Sequence, residues 1–215
     1  EDRTSTPLSL HDKIDGMALR LTDYQNRNYA ARYLRLVNAA PEPLRAAVSA
    51  SFYKLMAYKD EYEVARLHLT SADRAKAMFD GDLKLSFHLA PPILGGTGPD
   101  GRPKKRQFGA WMIPAFRLLA ALKGLRGTAF DPFGHTAERR GERAAIAEYE
   151  ADMAAVFRGL TPATLPAARE LAELPLSVRG YGPVRALAAA KAAGRRSELL
   201  ALIAAGGAPL ATAAE

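Results

Sequence analysis

The stretch YKLMAYKDEYEVARLHL, residues 53–69, decides how the middle of the chain is interpreted. Its apolar side chains recur at helical spacing, which predicts one helix from about residue 44 to residue 69. Large amphipathic rings mixed with charges favour a polar network between helices or a contact surface for another domain. The residues that carry this pattern are Lys54, Tyr58, Lys59, Asp60, Glu61, Tyr62, Glu63 and Arg66.

Two interpretations of this helix stay open. It can be a solvated face, on which i, i+4 pairs such as Lys59–Glu63 contribute only a few tenths of a kcal/mol. It can instead hold a buried network or an interface. In that case every charge needs a partner, because an unpaired buried charge costs several kcal/mol.

The segments on the N-terminal side and directly after this stretch are also predicted to be helical. Apolar residues at helical spacing predict one long helix over residues 9–39, bent at Gly16 and ended by Pro41. Ser71 is a suitable N-cap for a short helix that ends near Phe79. The first half of the chain is therefore expected to be α-helical.

A strand is predicted only near residues 84–108. KLSFHLAPP, residues 84–92, alternates apolar and polar side chains, which predicts a strand. The glycine- and proline-rich loop that follows either leads to a return strand near residues 106–108 or is mobile. His88 lies in this strand beside two prolines. It is a candidate member of the polar network, and a hydrogen-bonded structural role is favoured over that of a general base, because no nucleophile or carboxylate partner can be assigned to it.

Helices return in the second half of the chain. Pro114 fits the first turn of a helix that continues to Lys123, and residues 124–136 form a connector. Thr136 caps a helix over residues 137–158, and further helices are predicted at 162–173 and 183–205. We therefore predict a mostly α, bundle-like single domain over residues 1–205, with at most one small β element and a disordered tail from 206 to 215.

The composition limits the chemistry. The chain has no cysteine, so it cannot ligate an iron–sulfur cluster, and its four histidines form no helical metal pair. No catalytic residue and no metal site are predicted. We see no secretion signal at Glu1-Asp2-Arg3 and no apolar run long enough to cross a bilayer. We therefore expect a cytoplasmic fragment of a longer polypeptide, with no membrane contact.

The chain is basic, with a net charge of +7 and a pI near 9.7, which predicts attraction to an acidic partner. Two groups of cations are candidate contacts for an anion or an acidic protein. An exposed solubilising loop and local screening by Glu138 and Glu142 are the alternatives. A basic helical nucleic-acid-binding module also stays open, although no recognition motif accompanies the charge. The cations are Arg102, Lys104, Lys105, Arg106, Arg139, Arg140 and Arg143.

Six segments together resemble one family. They are YAARY (29–33), KLMAYKDEYEVARL (54–67), FHLAPP (87–92), GRPKKRQFGAWM (101–112), LKGLRGTAFDPFGHTAERRGER (122–143) and RGYGPV (179–184). In this order they resemble the C-terminal region of the fused bacterial indolepyruvate ferredoxin oxidoreductases, members of the 2-oxoacid:ferredoxin oxidoreductase family. The resemblance runs from about residue 10 to residue 203.

The resemblance implies a non-catalytic accessory domain. The parent enzyme would oxidatively decarboxylate an aryl 2-oxoacid, with coenzyme A as acyl acceptor and ferredoxin as electron acceptor. Thiamine diphosphate, magnesium and iron–sulfur clusters would lie in upstream domains, and these domains would be this chain's partners. Acidic ferredoxin or coenzyme A is a further expected contact, and an oligomer is compatible with the resemblance.

Overall fold

The structure is a computed structural model that describes residues 8–79, 81, 84–89, 106–180 and 182–207. These residues form eight α-helices and one two-stranded sheet, which confirms the prediction of a mostly α fold with one small β element. The chain forms two compact units. Unit 1 comprises Glu1–Tyr58 and Gly134–Glu215, and unit 2 comprises Lys59–Phe133. The predicted tail falls almost entirely on residues 208–215, which lie outside the described residues.

Each unit has its own set of elements. Unit 1 contains six helices: α1 Leu10–Tyr24, α2 Arg27–Ala39, α3 Glu42–Met56, α6 Ala137–Arg158, α7 Leu165–Ser177 and α8 Gly182–Ala204. Unit 2 contains α4 Glu61–Met78, β1 Ser86–Leu89, β2 Arg106–Gly109 and α5 Ile113–Ala121. Short 3₁₀ turns at Ala110–Met112 and Leu122–Leu125 flank α5.

The first long helix of the prediction is two helices. Gly16 lies inside α1, and the break comes at Gln25 and Asn26. The side chain of Asn26 accepts a hydrogen bond from the backbone N–H of Tyr29 at 2.9 Å, so it caps a new helix. The prediction of one helix over residues 9–39 is therefore wrong, because a capping side chain offered the backbone another partner.

The opening stretch also contains a break. α3 ends at Met56, and α4 begins after Asp60, whose Oδ1 accepts from the N–H of Glu63 at 2.8 Å. The predicted continuous helix over residues 44–69 is therefore wrong. The separate short helix from Ser71 is also wrong, because α4 runs through Ser71 to Met78. The charged side chains within residues 53–69 therefore belong to both units: Lys54 lies in unit 1, and those from Lys59 onward lie in unit 2.

The core of unit 1 surrounds α3, which packs against α2, α6 and α7. Its residues Leu44, Val48, Phe52 and Met56 are fully buried. The ring of Phe52 stacks on the ring of Tyr149 from α6, with centroids 5.8 Å apart. α3 is therefore buried around most of its surface, which explains its weak amphipathic pattern.

The core of unit 2 is small and aromatic. β1 and β2 pair antiparallel with Phe87 opposite Phe108, so the predicted hairpin is confirmed. Phe87 meets Phe116 of α5 edge to face, with ring centroids 5.0 Å apart. The His68 ring of α4 stacks on Phe116 at 5.1 Å. Burial lowers the pKa of His68, so the neutral imidazole is favoured within this cluster.

Candidate functional site

A buried ion pair holds the start of α4 to the segment that follows α5. Nε and Nη2 of Arg126 donate to the two carboxylate oxygens of Asp60, with Nη2 to Oδ1 at 2.9 Å. The exposed fractions of the two side chains are only 2% and 3%. Asp60 therefore has two roles, because it also caps α4. The sequence marks Asp60 as a candidate, but its partner lies 66 residues away in the chain.

A second buried carboxylate lies beside this pair. Tyr62 donates its hydroxyl proton to Oδ1 of Asp131 at 3.0 Å. Asp131 also accepts from the backbone N–H of Gly127 at 2.8 Å and of Phe133 at 3.1 Å. Burial, and then the bond to Asp131, raise the pKa of Tyr62, so this hydroxyl stays protonated and donates. The guanidinium of Arg126 lies 5.5 Å from the Tyr62 ring centroid.

These residues form a closed arrangement that we call the unit 2 network: Asp60, Tyr62, Arg126 and Asp131. Its two acids are held by an arginine, a tyrosine hydroxyl and backbone amides. Such an arrangement fixes a chain conformation, because each buried charge has a partner and leaving one unpaired would be costly.

The other candidates of unit 2, on α4, just before it and on β1, lie nearer the solvent. Arg66 forms a two-bond ion pair with Glu63 at 2.7 and 2.8 Å, one turn away on the same helix. Lys59 is exposed, and Glu61 is half-buried. His88 is exposed on β1 opposite Gln107.

The remaining two candidates from the opening stretch belong to unit 1. Nζ of Lys54 donates to the carbonyl oxygens of Pro175 and Val178 at 2.8 Å each, and to that of Leu176 at 3.3 Å. These carbonyls are at the end of α7, where a cation also interacts favourably with the helix dipole. Lys54 therefore serves as a C-terminal cap supplied by another helix. Tyr58 is buried, and its backbone carbonyl accepts from the Tyr24 hydroxyl at 2.8 Å.

The predicted anion contacts on α6 are engaged within unit 1. Arg139 Nη1 donates to Glu142 at 2.6 Å. Arg140 Nη1 donates to the carbonyl of His135 at 3.1 Å, and Arg143 Nη2 donates to that of Gly134 at 2.6 Å. Arg140 and Arg143 thus hold the preceding loop against the first turns of α6, and Arg139 is paired within the helix, which explains cations at this helix N-terminus.

The basic loop is described only at its end. Arg106 is exposed on β2, opposite Leu89. The other three cations of this group, Arg102, Lys104 and Lys105, lie outside the described residues.

Unit 1 contains an open groove of about 680 Å³, which we call the α6–α8 groove. Its apolar walls come from leucines of α3 and α7 and from alanines of α6 and α8. The apolar lining residues are Leu55, Leu171, Leu174, Pro175, Val178, Ala137, Ala145, Ala186, Ala189, Ala192 and Ala193. A volume of this size falls in the range typical of small-molecule sites.

Two ion-pair bridges join α8 to α6 across this groove. At one end, Arg185 lies 3.3 Å from Glu142 and 3.5 Å from Glu138. At the other end, Arg196 donates two hydrogen bonds to Asp152, at 2.6 and 2.7 Å, and lies 3.2 Å from Glu148. The two arginines are eleven positions apart on α8, about 16 Å at 1.5 Å per residue.

Neither the groove nor half of the unit 2 network, Arg126 and Asp131, was predicted from the sequence. The groove could have been suspected from the alternation of alanines with Arg185 and Arg196 on α8. Asp131, which is followed by proline, could have been recognised as a turn-forming residue. No local signal identifies Arg126, because its role depends entirely on a contact with distant Asp60.

Two further kinds of feature bear on function, metal-ion sites and membrane-spanning helices. Within the described ranges, no group of three histidines or carboxylates is placed to hold a metal ion. None of the described helices is both long and apolar enough to span a bilayer.

Comparison with known proteins places the chain in one family. No curated protein and no solved structure matches the sequence. A protein-family match covers residues 10–198, which is most of the chain and includes both the unit 2 network and the α6–α8 groove. The chain therefore belongs to the family of unknown function DUF6537.

Proposed function

We propose that this chain is a non-catalytic accessory domain of an indolepyruvate-type 2-oxoacid:ferredoxin oxidoreductase. Its role is to supply contact surfaces to the domains that hold thiamine diphosphate, magnesium and iron–sulfur clusters. Those domains carry out the oxidative decarboxylation and pass electrons to ferredoxin. The proposal includes a cytoplasmic location.

The observation that carries this proposal is the way two of the resembling segments meet. KLMAYKDEYEVARL supplies Asp60 and Tyr62, and the segment at residues 122–143 supplies Arg126 and Asp131. Two of the six segments on which the resemblance rests thus supply the residues that hold unit 2 together. A family that retains these segments would retain the same module, which supports carrying its role over to this chain.

Unit 2 also presents an exposed apolar surface, which we call the α5 stripe. It consists of Trp111, Leu118 and Leu122, whose exposed fractions are 68%, 62% and 38%. Leu118 lies on α5, and Trp111 and Leu122 lie in the 3₁₀ turns directly before and after that helix. Exposed aromatic and aliphatic side chains on neighbouring turns are typical of a protein contact surface.

The experiment uses the full-length oxidoreductase that the resemblance implies. The triple variant Trp111→Ser, Leu118→Ser, Leu122→Ser is expected to lower indolepyruvate-dependent ferredoxin reduction at least about tenfold, since central apolar anchors each contribute 1 kcal/mol or more. Leu19→Ser on α1, which is equally exposed, is the control and should leave turnover unchanged. Unchanged turnover in the triple variant would contradict a role for the stripe.

The net charge of +7 supports a further element of the proposal, the steering of acidic ferredoxin or of coenzyme A phosphates. Ferredoxin reduction should then fall steeply as ionic strength rises. Neutralising Lys104, Lys105 and Arg106 to glutamine should flatten that dependence. Identical salt dependence in wild type and variant would remove steering from the account while leaving the contact surfaces in place.

A further inference from the structure

The α6–α8 groove differs in charge between its two ends. At the end near the α7–α8 connection, Nζ of Lys54 and Nε of Arg179 donate to the same carbonyl, that of Leu176, at 3.3 and 3.1 Å. Arg185 lies close enough to act electrostatically on Lys54. Lys54 and Arg185 therefore line this end of the groove, and Arg179 lies beside Lys54, outside the lining.

The carboxylates at this end do not balance these cations. Glu142 has a short bond to Arg139 at 2.6 Å and a longer one to Arg185 at 3.3 Å, and Glu138 is largely exposed. Arg139 and Arg185 pair with these two carboxylates, so Lys54 and Arg179, which bond only to carbonyl oxygens among the described residues, are the excess cations at this end. Burial, and then the nearby Arg179 and Arg185, lower the pKa of Lys54, as expected where positive charge accumulates.

The opposite end has the reverse balance. Arg196 is the cation there, and it faces two carboxylates, those of Asp152 and Glu148. Between the two ends, α8 contributes only the methyl groups of four alanines to the lining. The groove is thus an elongated apolar surface with an excess of positive charge at one end and of negative charge at the other.

We propose that the α6–α8 groove binds an alkyl-chain carboxylate. The carboxylate lies at the end formed by Lys54, Arg179 and Arg185, and the chain lies along the alanines of α8 toward Arg196. The apolar walls exclude water from the chain, and Arg179 and Arg185 supply charge-assisted hydrogen bonds to the head group. Lys54 adds its charge alone, because its three N–H groups already donate to the carbonyls at the end of α7. Among the described residues, Nε and Nη2 of Arg185 have no hydrogen-bond partner and are free to donate.

The test is isothermal titration calorimetry of the purified chain with octanoate, decanoate and decyltrimethylammonium below their micelle concentrations. Affinity should rise about fourfold per added methylene from octanoate to decanoate, from the free energy of burying one CH₂. Decanoate should bind about tenfold or more tightly than decyltrimethylammonium, because only the carboxylate gains charged hydrogen bonds. Equal affinity for the two head groups, or no decanoate binding, would overturn the proposal.

Variants locate the ligand and its head group. Ala189→Trp fills the groove and should weaken decanoate binding about tenfold or more, while Ala190→Trp, on the same helix outside the lining, should have less than about a twofold effect. Arg179→Gln with Arg185→Gln should weaken decanoate about tenfold and leave decyltrimethylammonium unchanged.

The thermal unfolding of each variant is measured alongside, so that loss of the fold is not taken for loss of the ligand. A variant of Ala189 that binds decanoate like wild type would show that the chain lies elsewhere. If Ala189→Trp changes the oligomeric state of the chain and binds decanoate as tightly as wild type does, the groove is an interface between two copies of the chain. That outcome contradicts the proposal.

Discussion

Replacing Arg126 with methionine tests whether the unit 2 network holds unit 2 together. Methionine removes the charge while keeping much of the volume, and it leaves the Asp60 carboxylate buried at 3% exposure with no cation. Breaking a buried pair in this way costs about 3–5 kcal/mol. Whole domains are stable by only about 5–15 kcal/mol, so the variant should be severely destabilised.

A second variant separates the unpaired charge from other effects. Asp60→Asn keeps a side chain that caps α4, because asparagine and aspartate cap equally well. The double variant Asp60→Asn, Arg126→Met leaves no buried charge at this position, and Asp131 keeps its own donors from Tyr62 and two backbone amides. We therefore expect the double variant to be more stable than Arg126→Met alone.

The assay is urea unfolding followed by the fluorescence of Trp111. It is the only tryptophan in the sequence and belongs to unit 2, so it reports on that unit. Arg117→Met, an exposed arginine of α5, is the control and should change the free energy of unfolding by less than about 0.5 kcal/mol. The reasoning is refuted if Arg126→Met behaves like this control, or if the double variant is no more stable than Arg126→Met.

Two further predictions concern the same chain. Because burial lowers the pKa of His68, folding favours its neutral form. Its stabilisation of unit 2 should be full above pH of about 6.5 and decline as the pH falls below that value. In urea unfolding across pH 5–8, His68→Phe should remove this decline and the exposed His88→Phe should not. Lys54→Met should destabilise unit 1 by about 1–2 kcal/mol through the lost α7 cap, measured by circular dichroism, whereas the exposed Lys191→Met should not.

The fold was predictable where local signals agreed. Thr136 caps α6 as predicted, its side chain accepting from the N–H of Arg139 at 3.2 Å, and the helix has the predicted bounds. The hairpin was predictable because alternation and a glycine- and proline-rich loop indicated the same structure. Each of these elements is specified by residues close together in the sequence.

Predictions failed where a capping residue interrupts a continuous apolar pattern. Asp60 is followed by Glu63, so the helix start could have been recognised, but the helical spacing of apolar residues passes through it and was given more weight. Asn26 was overlooked in favour of Gly16 for the same reason. A periodic pattern reports which faces are buried, and it does not report whether the backbone continues as one helix.

The candidate site was predictable only in part, since most of its partners are distant in sequence. The opening stretch identified Asp60 and Tyr62 as residues that need partners if buried. It could not identify Arg126 or Asp131, because that pairing exists only after α4 and the segment after α5 have packed. The groove depends on the placement of four helices, which no local pattern encodes.

The central claim, that this chain is an accessory part of a 2-oxoacid oxidoreductase, is tested most directly by purifying the native protein through this chain. The preparation is analysed for thiamine diphosphate and iron–sulfur clusters, and for ferredoxin reduction by indolepyruvate and coenzyme A. We predict that both cofactors co-purify and that reduction requires both substrates. Native material without either cofactor, or turnover by the 215-residue chain alone, would contradict the account.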